Sequence, residues 1–247
     1  MRYFVFSDIH GNLEALLSII KFTKRRKIDH YIFLGDMVGY GASPNEVIEK
    51  MRRTFKPISI VRGNHDKAVC GLDSIQTFNP IAASAIFWTQ QNIKKTHKNY
   101  LCRLKAGPRT LHKNMTICHG APFDEDFYIF SEFDAAEAFS YMKKPLCFFG
   151  HTHFPFIYIE GESSIEGIFI TSNKYELKLE KKSRYLINPG SVGQPRDRNP
   201  RAACLIYDSK VKKVNFYRLD YDIEKAKEKI NQNKLPSALA ERLSVGI

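Results

Sequence analysis

The first twenty residues combine a short apolar run with a segment whose apolar positions recur at helical spacing. Residues 3 to 7 predict a β-strand. Asn12 is a typical N-cap residue, and the positions after it predict a helix with one apolar face. That face consists of Leu13, Leu16, Leu17 and Ile20. The chain is therefore predicted to open with a strand, a short loop and a helix.

The same alternation continues up to residue 62. Apolar runs at residues 31–34 and 58–62 predict two further strands. Between them, Ser43 and Glu46 form a capping box with Pro44 at the first helical position, so a second helix is predicted to begin there. Strand-helix-strand alternation predicts parallel pairing with right-handed crossovers.

Residues 67–107 have a different, helical pattern. Asn79 and Pro80 begin a helical segment in which Trp88 is predicted to be a core residue, and a second short helix is predicted near Tyr100 to Leu104. We interpret this region as a helical insertion that forms a wall or lid beside the strand ends.

The second half of the chain predicts a further sheet. Strands at 115–118 and 146–149 flank a helix at 135–142, which a capping box from Asp134 to Glu137 is predicted to open. Short alternating strands then indicate an antiparallel portion that completes a second sheet. They are predicted at 156–159, 174–180, 185–188, 202–207 and 211–217, and surface helices are predicted at 222–233 and 236–243.

Length and composition fit one large domain. A chain of 247 residues that is 43% apolar can bury a full core. We assign residues 1–220 to this domain and residues 221–247 to a helical tail packed on it. There is no run of eighteen apolar residues, and Asp8 follows the N-terminus too early for a signal peptide. A cytoplasmic protein without a membrane partner is therefore expected, while homo-oligomer formation is left open.

Cysteine content and net charge exclude few classes of function. The five cysteines are odd in number, scattered and without a C-x-x-C pair, so reduced and mostly buried thiols are expected. The formal net charge of +12 is spread around the chain, which is more typical of a solvated surface than of a nucleic-acid groove. Nucleic acid is a possible partner that the sequence does not indicate.

Polar side chains cluster where the predicted strands end. Ligands bind beyond the carboxyl edge of such strands in α/β sheets. The residues at these positions are Asp8, His10, Asp36, Asn64, His65, His119, His151 and His153. They include five of the eight histidines in the chain, a concentration that favours a shared metal centre over scattered surface histidines.

The donor set indicates the kind of metal. Nitrogen and oxygen ligands without a thiolate suit manganese, iron, zinc, cobalt or nickel. Seven ligands are too many for one tetrahedral ion, but they suffice for two ions if one carboxylate bridges. Two ions roughly 3.5–4 Å apart can clamp the attacking and leaving oxygens of a phosphoryl displacement.

Five motifs in this order resemble those of the calcineurin-like metallophosphoesterases. They are Asp8-x-His10, Gly35-Asp36-x-x-Gly39, Gly63-Asn64-His65-Asp66, His119, and Gly150-His151-x-His153. The resemblance covers about residues 1 to 217 and implies an α/β fold with mixed sheets, arranged as a four-layer α-β-β-α sandwich. It also implies two divalent transition metal ions, with Mn²⁺ as the expected metal.

The resemblance further implies a role for each ligand. Asp8, His10, Asp36 and His153 would hold one ion, and Asp36, Asn64, His119 and His151 the other. The reaction would be hydrolysis of a phosphodiester by in-line attack of metal-bound hydroxide.

Three residues are candidates for substrate binding or catalysis beside the metal ions. The resemblance implies that His65 meets the substrate phosphate and protonates the leaving oxygen, as an imidazole can near neutrality. Asp66 is assigned either as the group that orients His65 or as a turn cap. Arg196, in the Asn188 to Arg196 loop, is a candidate phosphate ligand, although bracing of the metal loops is the favoured role of that loop. Asn64 and His65 complete the predicted substrate contacts.

The branch of the family sets the expected substrate. Ser/Thr phosphatases carry Gly-Asp-x-Val-Asp-Arg-Gly at the second motif, whereas this chain has Tyr40 in place of the phosphate-gripping arginine. The chain looks more like the compact prokaryotic phosphodiesterases, so a small-molecule or nucleotide phosphodiester is expected. A dinucleoside polyphosphate hydrolase or a nuclease would use the same chemistry. The retromer scaffold subunit has the fold without the catalytic histidine, but His65 is present here.

Overall fold

Two six-stranded mixed β-sheets pack face to face in the computed structural model, which describes residues 1–112 and 114–247. The strands are β1 Arg2–Phe6, β2 His30–Phe33, β3 Ile58–Ile60, β4 Arg109–Leu111, β5 Met115–Ile117, β6 Leu146–Phe148, β7 Pro155–Glu160, β8 Ile165–Phe169, β9 Lys174–Lys178, β10 Arg184–Pro189, β11 Ala202–Asp208 and β12 Lys213–Leu219. The helices are α1 Leu13–Thr23, α2 Pro44–Thr54, α3 Asn64–Val69, α4 Pro80–Asn92, α5 Lys95–Leu101, α6 Glu132–Tyr141, α7 Ile223–Gln232 and α8 Ser237–Val245, with a 3-10 turn at Ile75–Thr77.

The first sheet has the strand order β3-β2-β1-β11-β12-β9. Its β1, β2 and β3 strands pair in parallel, as the strand-helix-strand pattern predicts. The antiparallel strands β11, β12 and β9 extend the other side of β1. The prediction that all late strands complete the second sheet is therefore wrong, because three of the five predicted strands, β9, β11 and β12, belong to the first sheet, where β11 pairs with β1.

The second sheet has the strand order β4-β5-β6-β10-β7-β8. Strands β5, β6 and β10 are parallel, whereas β4, β7 and β8 pair antiparallel with their neighbours. Each sheet thus contains three adjacent parallel strands, at one end of the first sheet and within the second, and their carboxyl ends can carry ligands on one edge.

Apolar side chains join the layers. Fully buried residues fill the space between the sheets. They include Val5, Ile32, Ile117, Phe148 and Ile187. On the outer faces, Leu16 and Val47 of α1 and α2 pack on the first sheet, and Phe139 of α6 packs on the second. The fold is therefore the predicted four-layer α-β-β-α sandwich.

The insertion is helical but differs in detail from the prediction. Helix α4 begins as expected, with the Asn79 side chain accepting the N–H of Ala82. The helix predicted near Tyr100 to Leu104 instead lies at Lys95–Leu101. Its sequence offers only two buried side chains, His97 and Leu101, so the apolar pattern was too weak to locate it. Trp88 is half-buried, at the margin of a core cluster.

Other local predictions need correction. Helix α6 begins at Glu132, because Ser131 and Asp134 form the capping box rather than Asp134 and Glu137. Strands β4 and β8 were not predicted, since two of the three β4 residues, Arg109 and Thr110, are polar and exposed, and β8 is interrupted by Gly167.

Cys70 and Cys102 form a disulfide, contrary to the expectation of reduced cysteines. The two residues are 32 positions apart, and spacing alone could not show that the C-terminal ends of α3 and α5 meet. The remaining cysteines of the described chain, Cys118, Cys147 and Cys204, are free and buried.

The C-terminal helices pack on the N-terminal half. Lys229 of α7 reaches Glu14 of α1 at 2.6 Å, and Leu239 and Leu243 of α8 join a buried cluster with Tyr40. The division into residues 1–220 and a tail at 221–247 stays a prediction. Within the described residues, no helix is long and apolar enough to cross a membrane.

Candidate metal centre

All seven predicted ligands lie at one edge of the sandwich. Asp8 and His10 follow β1, Asp36 follows β2, and His119 follows β5. Asn64 is the first residue of α3, and His151 and His153 follow β6. Each of these side chains is buried. The positions match those expected for residues beyond the carboxyl ends of strands.

The ligand atoms form two groups. In the first, Asp8 Oδ1 lies 3.5 Å from His153 Nε2 and 3.9 Å from His10 Nε2. In the second, His119 Nε2 lies 3.2 Å from Asn64 Oδ1 and 3.1 Å from His151 Nδ1.

Asp36 joins the two groups. Its Oδ2 lies 3.5 Å from His10 Nε2 and 3.4 Å from His119 Nε2. One carboxylate oxygen is therefore within reach of both groups, which is the arrangement that a bridging ligand requires.

Several ligands have a left-handed backbone, which is uncommon for residues other than glycine. Positive φ angles occur at Asp8 (55°), His10 (49°), Asp36 (58°), His151 (67°) and His153 (67°). Such a conformation costs of order 1–3 kcal/mol per residue and is typical of functional sites. It turns each side chain out of the strand direction and toward the shared centre.

Backbone carbonyls orient the four ligand histidines. His10 Nδ1 lies 3.1 Å from the Val38 oxygen, and His119 Nδ1 lies 2.7 Å from the Leu34 oxygen. The same holds for His151 Nε2 with Asp126 and for His153 Nδ1 with Gln194. Because a carbonyl can only accept, each of these nitrogens carries the proton. The opposite nitrogen keeps its lone pair for a metal ion.

The unpaired carboxylate of Asp8 and the pKa values of the ligand histidines favour binding of a cation. Both oxygens of Asp8 are buried and lack a hydrogen-bond partner among the residues described. Burial raises the pKa of Asp8 to about 7, since an unpartnered carboxylate disfavours charge. Burial also lowers the pKa of His10 and His153 in the first group, and of His151 in the second, well below the ordinary value, which favours neutral imidazole, the form that binds metal.

Asp36 and His119 stabilise each other's charged forms. Burial acts to raise the pKa of Asp36, but the charges of His119 and His65 hold it well below its ordinary value. Burial acts to lower the pKa of His119, but Asp36 raises it to about 10. A metal ion in this group would replace the imidazolium proton, because a ligand histidine must be neutral. The donor chemistry of both groups thus fits divalent ions.

His65 lies beside the first group. Its ring packs against Tyr40, with 4.4 Å between ring centroids, and a ring nitrogen is within 4.8 Å of ligand atoms of His10 and Asp36. Burial lowers the pKa of His65 to about 4, and Nδ1 has no hydrogen-bond partner among the described residues. Gly39, with φ +90°, leaves room for this ring, because a Cβ there would meet it.

Asp66 caps the backbone instead of contacting His65. Its carboxylate accepts N–H groups from Asp36 at 3.0 Å, Met37 at 2.9 Å and Gly63 at 3.2 Å. Within the described chain it makes no hydrogen bond with His65. Of the two predicted roles, this geometry matches the turn cap. The segment from Asn64 to Asp66 forms the start of α3 and not a loop.

The Asn188 to Arg196 loop braces the ligand loops, as predicted. The Ser191 hydroxyl and the Gly193 N–H both donate to the backbone oxygen of Asp8, at 2.8 and 2.9 Å. Arg196 donates to the hydroxyl of Tyr40 at 3.3 Å and to Gln194 at 3.2 Å.

A cavity of about 320 Å³ opens beside the second group. Asn64, His65 and His151 line it. Phe78 and Asn79 of the insertion also line it, so part of residues 67–107 forms a wall of the cavity.

Sequence reasoning assigned no role in the site to Tyr40, Tyr128 or Arg242. Tyr40 stands within the second motif and has a positive φ of 59°, a position that the motif could have indicated. Tyr128 stacks on His151 with 3.8 Å between ring centroids, and the Arg242 guanidinium lies 5.9 Å from the Tyr40 ring. These two residues lie outside every motif, so the sequence held no signal for them.

Buried nitrogen and oxygen ligands at the strand edge of a four-layer sandwich define a candidate metal-binding α/β protein. Comparison with known proteins then specifies the family. The model of the calcineurin-like phosphoesterase superfamily domain matches residues 1–210. This protein therefore belongs to the calcineurin-like phosphoesterase superfamily.

Similar proteins cover the whole chain. The uncharacterized protein MJ0912 of Methanocaldococcus jannaschii is 40% identical over 249 residues, which is 98% of this chain and 97% of the relative. A metallophosphoesterase crystal structure from Sphaerobacter thermophilus is 36% identical, with a TM-score of 0.86 and coverage of 100% and 99%. The hypothetical protein PH1004 of Pyrococcus horikoshii shares the fold at 20% identity, with a TM-score of 0.79 and coverage of 100% and 98%.

Proposed function

We propose that this protein is a phosphodiesterase that uses two divalent transition metal ions, with Mn²⁺ as the expected metal. The position of Asp36, whose Oδ2 is within 3.5 Å of a histidine in each ligand group, carries this proposal. When bound, two such ions supply the nucleophile and neutralise charge on the phosphoryl oxygens. The expected substrate is a small or nucleotide phosphodiester, and the expected location is the cytoplasm.

The chain's own residues then have distinct tasks. Asp8, His10, Asp36 and His153 would hold one ion, and Asp36, Asn64, His119 and His151 the other. His65 would contact the phosphate and give a proton to the leaving oxygen. An anionic phosphate beside the imidazole raises its pKa and thereby favours the protonated form.

The contacts around the two ligand groups support roles for Arg196 and Asp66. Arg196 would bind a phosphoryl oxygen, since its guanidinium reaches the Tyr40 hydroxyl next to His65. Asp66 would position the Asp36 loop, since it accepts three N–H groups of residues 36–38. The presence of His65 argues against a scaffold role without catalysis.

Hydrolysis of two chromogenic esters tests the function. Bis-p-nitrophenyl phosphate and p-nitrophenyl phosphate are compared with added Mn²⁺ for the wild type, His65→Ala and His112→Ala. We expect faster turnover of the diester and a loss of about a hundredfold or more in His65→Ala, in the range for a general acid. His112 is exposed, and its ring neighbours Tyr3 and His30 are not ligands, so its variant controls for loss of any histidine.

Measurement of the bound metal distinguishes loss of metal binding from loss of catalysis. Plasma emission spectrometry is expected to find equal metal in the wild type and His65→Ala. Absence of turnover of either ester with every divalent metal, in metal-loaded protein, would contradict the proposed function. Equal turnover by His65→Ala would contradict the role of His65.

A further inference from the structure

A row of aromatic side chains runs outward from the metal centre. The Tyr128 ring stacks on the ligand His151 at 3.8 Å, with 28° between the planes. Phe130 follows at 5.4 Å and lies almost parallel, with 5° between the planes. Phe154 and Phe169 continue the row at 6.1 and 5.7 Å. We call these four residues the aromatic strip.

The aromatic strip is unusually exposed for its composition. Tyr128 is 40% exposed, Phe130 is 57% exposed and Phe169 is 40% exposed. Exposed apolar residues scattered singly are ordinary, but a contiguous set marks a binding surface. The strip comes from a loop, the segment after His153 and β8, so the fold, and not local sequence, assembles it.

The strip is continuous with the site cavity. Tyr128 lines the cavity together with His65 and His151, so a molecule whose phosphate reaches the ligands passes the Tyr128 ring. Asp126 lines the same cavity, and its Oδ1 is buried without a hydrogen-bond partner in the described part of the chain. Its other oxygen is already paired with Lys67 at 2.9 Å. The cavity wall therefore combines flat aromatic rings with the Asp126 carboxylate.

Building on the proposed function, we propose that Tyr128 and Phe130 form a stacking subsite for a nucleobase, and that the substrate is a nucleotidyl phosphodiester. Aromatic side chains bind bases of any sequence, because every base presents a π-face. An acyl chain could make no hydrogen bond to the Asp126 carboxylate that lines the cavity, whereas the exocyclic amino group of adenine, cytosine or guanine is a suitable donor to a carboxylate. The base lies on the strip while the phosphate lies at the ligands.

Binding of two phosphate monoesters tests the subsite without turnover. Adenosine 5′-monophosphate and ribose 5-phosphate carry the same phosphate and sugar, and only the first has a base. Isothermal titration calorimetry of the wild type is expected to show at least about tenfold tighter binding of the adenosine compound, the scale of one stacked base. The difference is expected to disappear in Phe130→Ala. Phe130 is the chosen probe because its ring neighbours are Tyr128 and Phe154, not a ligand.

Kinetics test the same subsite during catalysis. The substrates are the 4-nitrophenyl ester of adenosine 5′-monophosphate and ethyl 4-nitrophenyl phosphate, which share a leaving group. The ratio of their kcat/KM values is expected to be about ten or more in the wild type and to fall toward one in Phe130→Ala, through KM. A ratio near one in the wild type would overturn the subsite and leave the proposed function intact. If neither ester is hydrolysed, the proposed function fails, and the calorimetric comparison alone decides whether a base binds.

Phe133→Ala is the matched control. This phenylalanine is 89% exposed and lies three positions from Phe130, but its ring makes no stacking contact with the strip in the described structure. We expect it to keep the wild-type preference for the base. An equal loss of this preference in both variants would indicate non-specific binding of the base and overturn the proposal. So would a Phe130→Ala variant that keeps base binding but changes the sedimentation coefficient, since the strip would then cover a second copy of the chain.

Discussion

The backbone N–H of Asp36 donates to the carboxylate of Asp66 at 3.0 Å, while the side chain of Asp36 accepts the N–H of His65 at 2.9 Å. Each of the second and third motifs thus donates a backbone N–H to a carboxylate of the other. The loop that carries the Asp36 carboxylate is therefore held in part by Asp66, which is not one of the predicted ligands.

Replacement of Asp66 by alanine should therefore affect both stability and metal binding. The variant leaves buried N–H groups of Asp36, Met37 and Gly63 without an acceptor, and we expect a loss of about 3–5 kcal/mol in unfolding free energy. Urea unfolding measures the loss. Asp66→Asn keeps one acceptor oxygen and is expected to lose less and to retain its metal. If Asp66→Asn were as inactive as His65→Ala at full metal content, Asp66 would act through His65 instead.

Divalent metal should stabilise the protein through the orphaned carboxylate of Asp8. Mn²⁺ at a hundred times its Kd adds about 2.7 kcal/mol per site, which corresponds to a Tm increase of about 5–10 °C for a chain of this size. We expect EDTA to abolish the increase in the wild type. Thermal denaturation of Asp8→Asn should show a smaller increase, because the amide removes the negative charge from one ligand group. A wild-type Tm that is insensitive to metal and chelator would contradict the metal centre.

Arg196 should set the affinity for the phosphate group. A charge-assisted hydrogen bond contributes about 1.5–3 kcal/mol, so Arg196→Ala is expected to raise KM by about tenfold to a hundredfold. Arg198→Ala is the control, because Arg198 is an exposed arginine two positions away. Arg196→Lys should recover part of the affinity. Equal KM values for Arg196→Ala and Arg198→Ala would leave Arg196 with a bracing role alone.

The disulfide should stabilise the helix that begins with Asn64. A bond that closes a loop of 32 residues contributes about 3–4 kcal/mol in the chain-entropy model. Reduction of the wild type is expected to lower the Tm, whereas a Cys70→Ser/Cys102→Ser variant should start lower and not respond to the reductant. A wild-type Tm unaffected by reductant, with no free thiols beyond the three other cysteines before reduction, would contradict this contribution.

The capping box of α6 should give a pH-dependent stability. Burial acts to raise the pKa of Asp134, but hydrogen bonds from Phe130 and Ser131 hold it below its ordinary value of 3.8. A carboxyl with a lowered folded-state pKa stabilises the fold above its unfolded-state pKa and loses that effect as pH falls through the folded-state value. Asp134→Ala should therefore cost about 1 kcal/mol at pH 7 and nothing once the carboxyl is protonated in both states.

Ser131→Ala provides the comparison for that pH effect. The Ser131 hydroxyl accepts the N–H of Asp134 at 3.2 Å and does not titrate in this range. The same hydroxyl donates to the Asp134 carboxylate at 2.9 Å, so the destabilisation of Ser131→Ala is expected to decrease as the pH falls but to persist at pH 2.5, where the N–H of Asp134 still lacks its acceptor. Parallel pH curves for the two variants would exclude the carboxylate as the source of the pH dependence.

The ligands were accessible to sequence reasoning because each follows a short apolar strand. Period and burial predict where β1, β2 and β6 end, and Asp8, Asp36 and His151 lie two or three residues after these ends. Parallel strands bring those ends to one edge without any knowledge of side-chain contacts.

The missed features depend on distant contacts. The pairing of Cys70 with Cys102, the contact of Tyr128 with His151 and the approach of Arg242 to Tyr40 join segments that share no periodicity. The position of α5 was missed because a lysine-rich segment with two buried residues has little amphipathic signal. Asp66 was left with two roles because a carboxylate after a turn can serve either the backbone or a side chain.

The placement of β1 has a consequence for folding during synthesis. This strand lies in the middle of the first sheet, between β2 and β11, and Arg2 is paired with Asp208. The Ser191 and Gly193 groups that hold Asp8 also come late in the chain. A nascent chain that has left the ribosome only to residue 190 has the motifs up to His153 but neither the strand nor the loop that holds the first of them. The ligand edge can therefore assemble only after nearly all of the chain has emerged. A protein truncated before β11 should not form the metal centre.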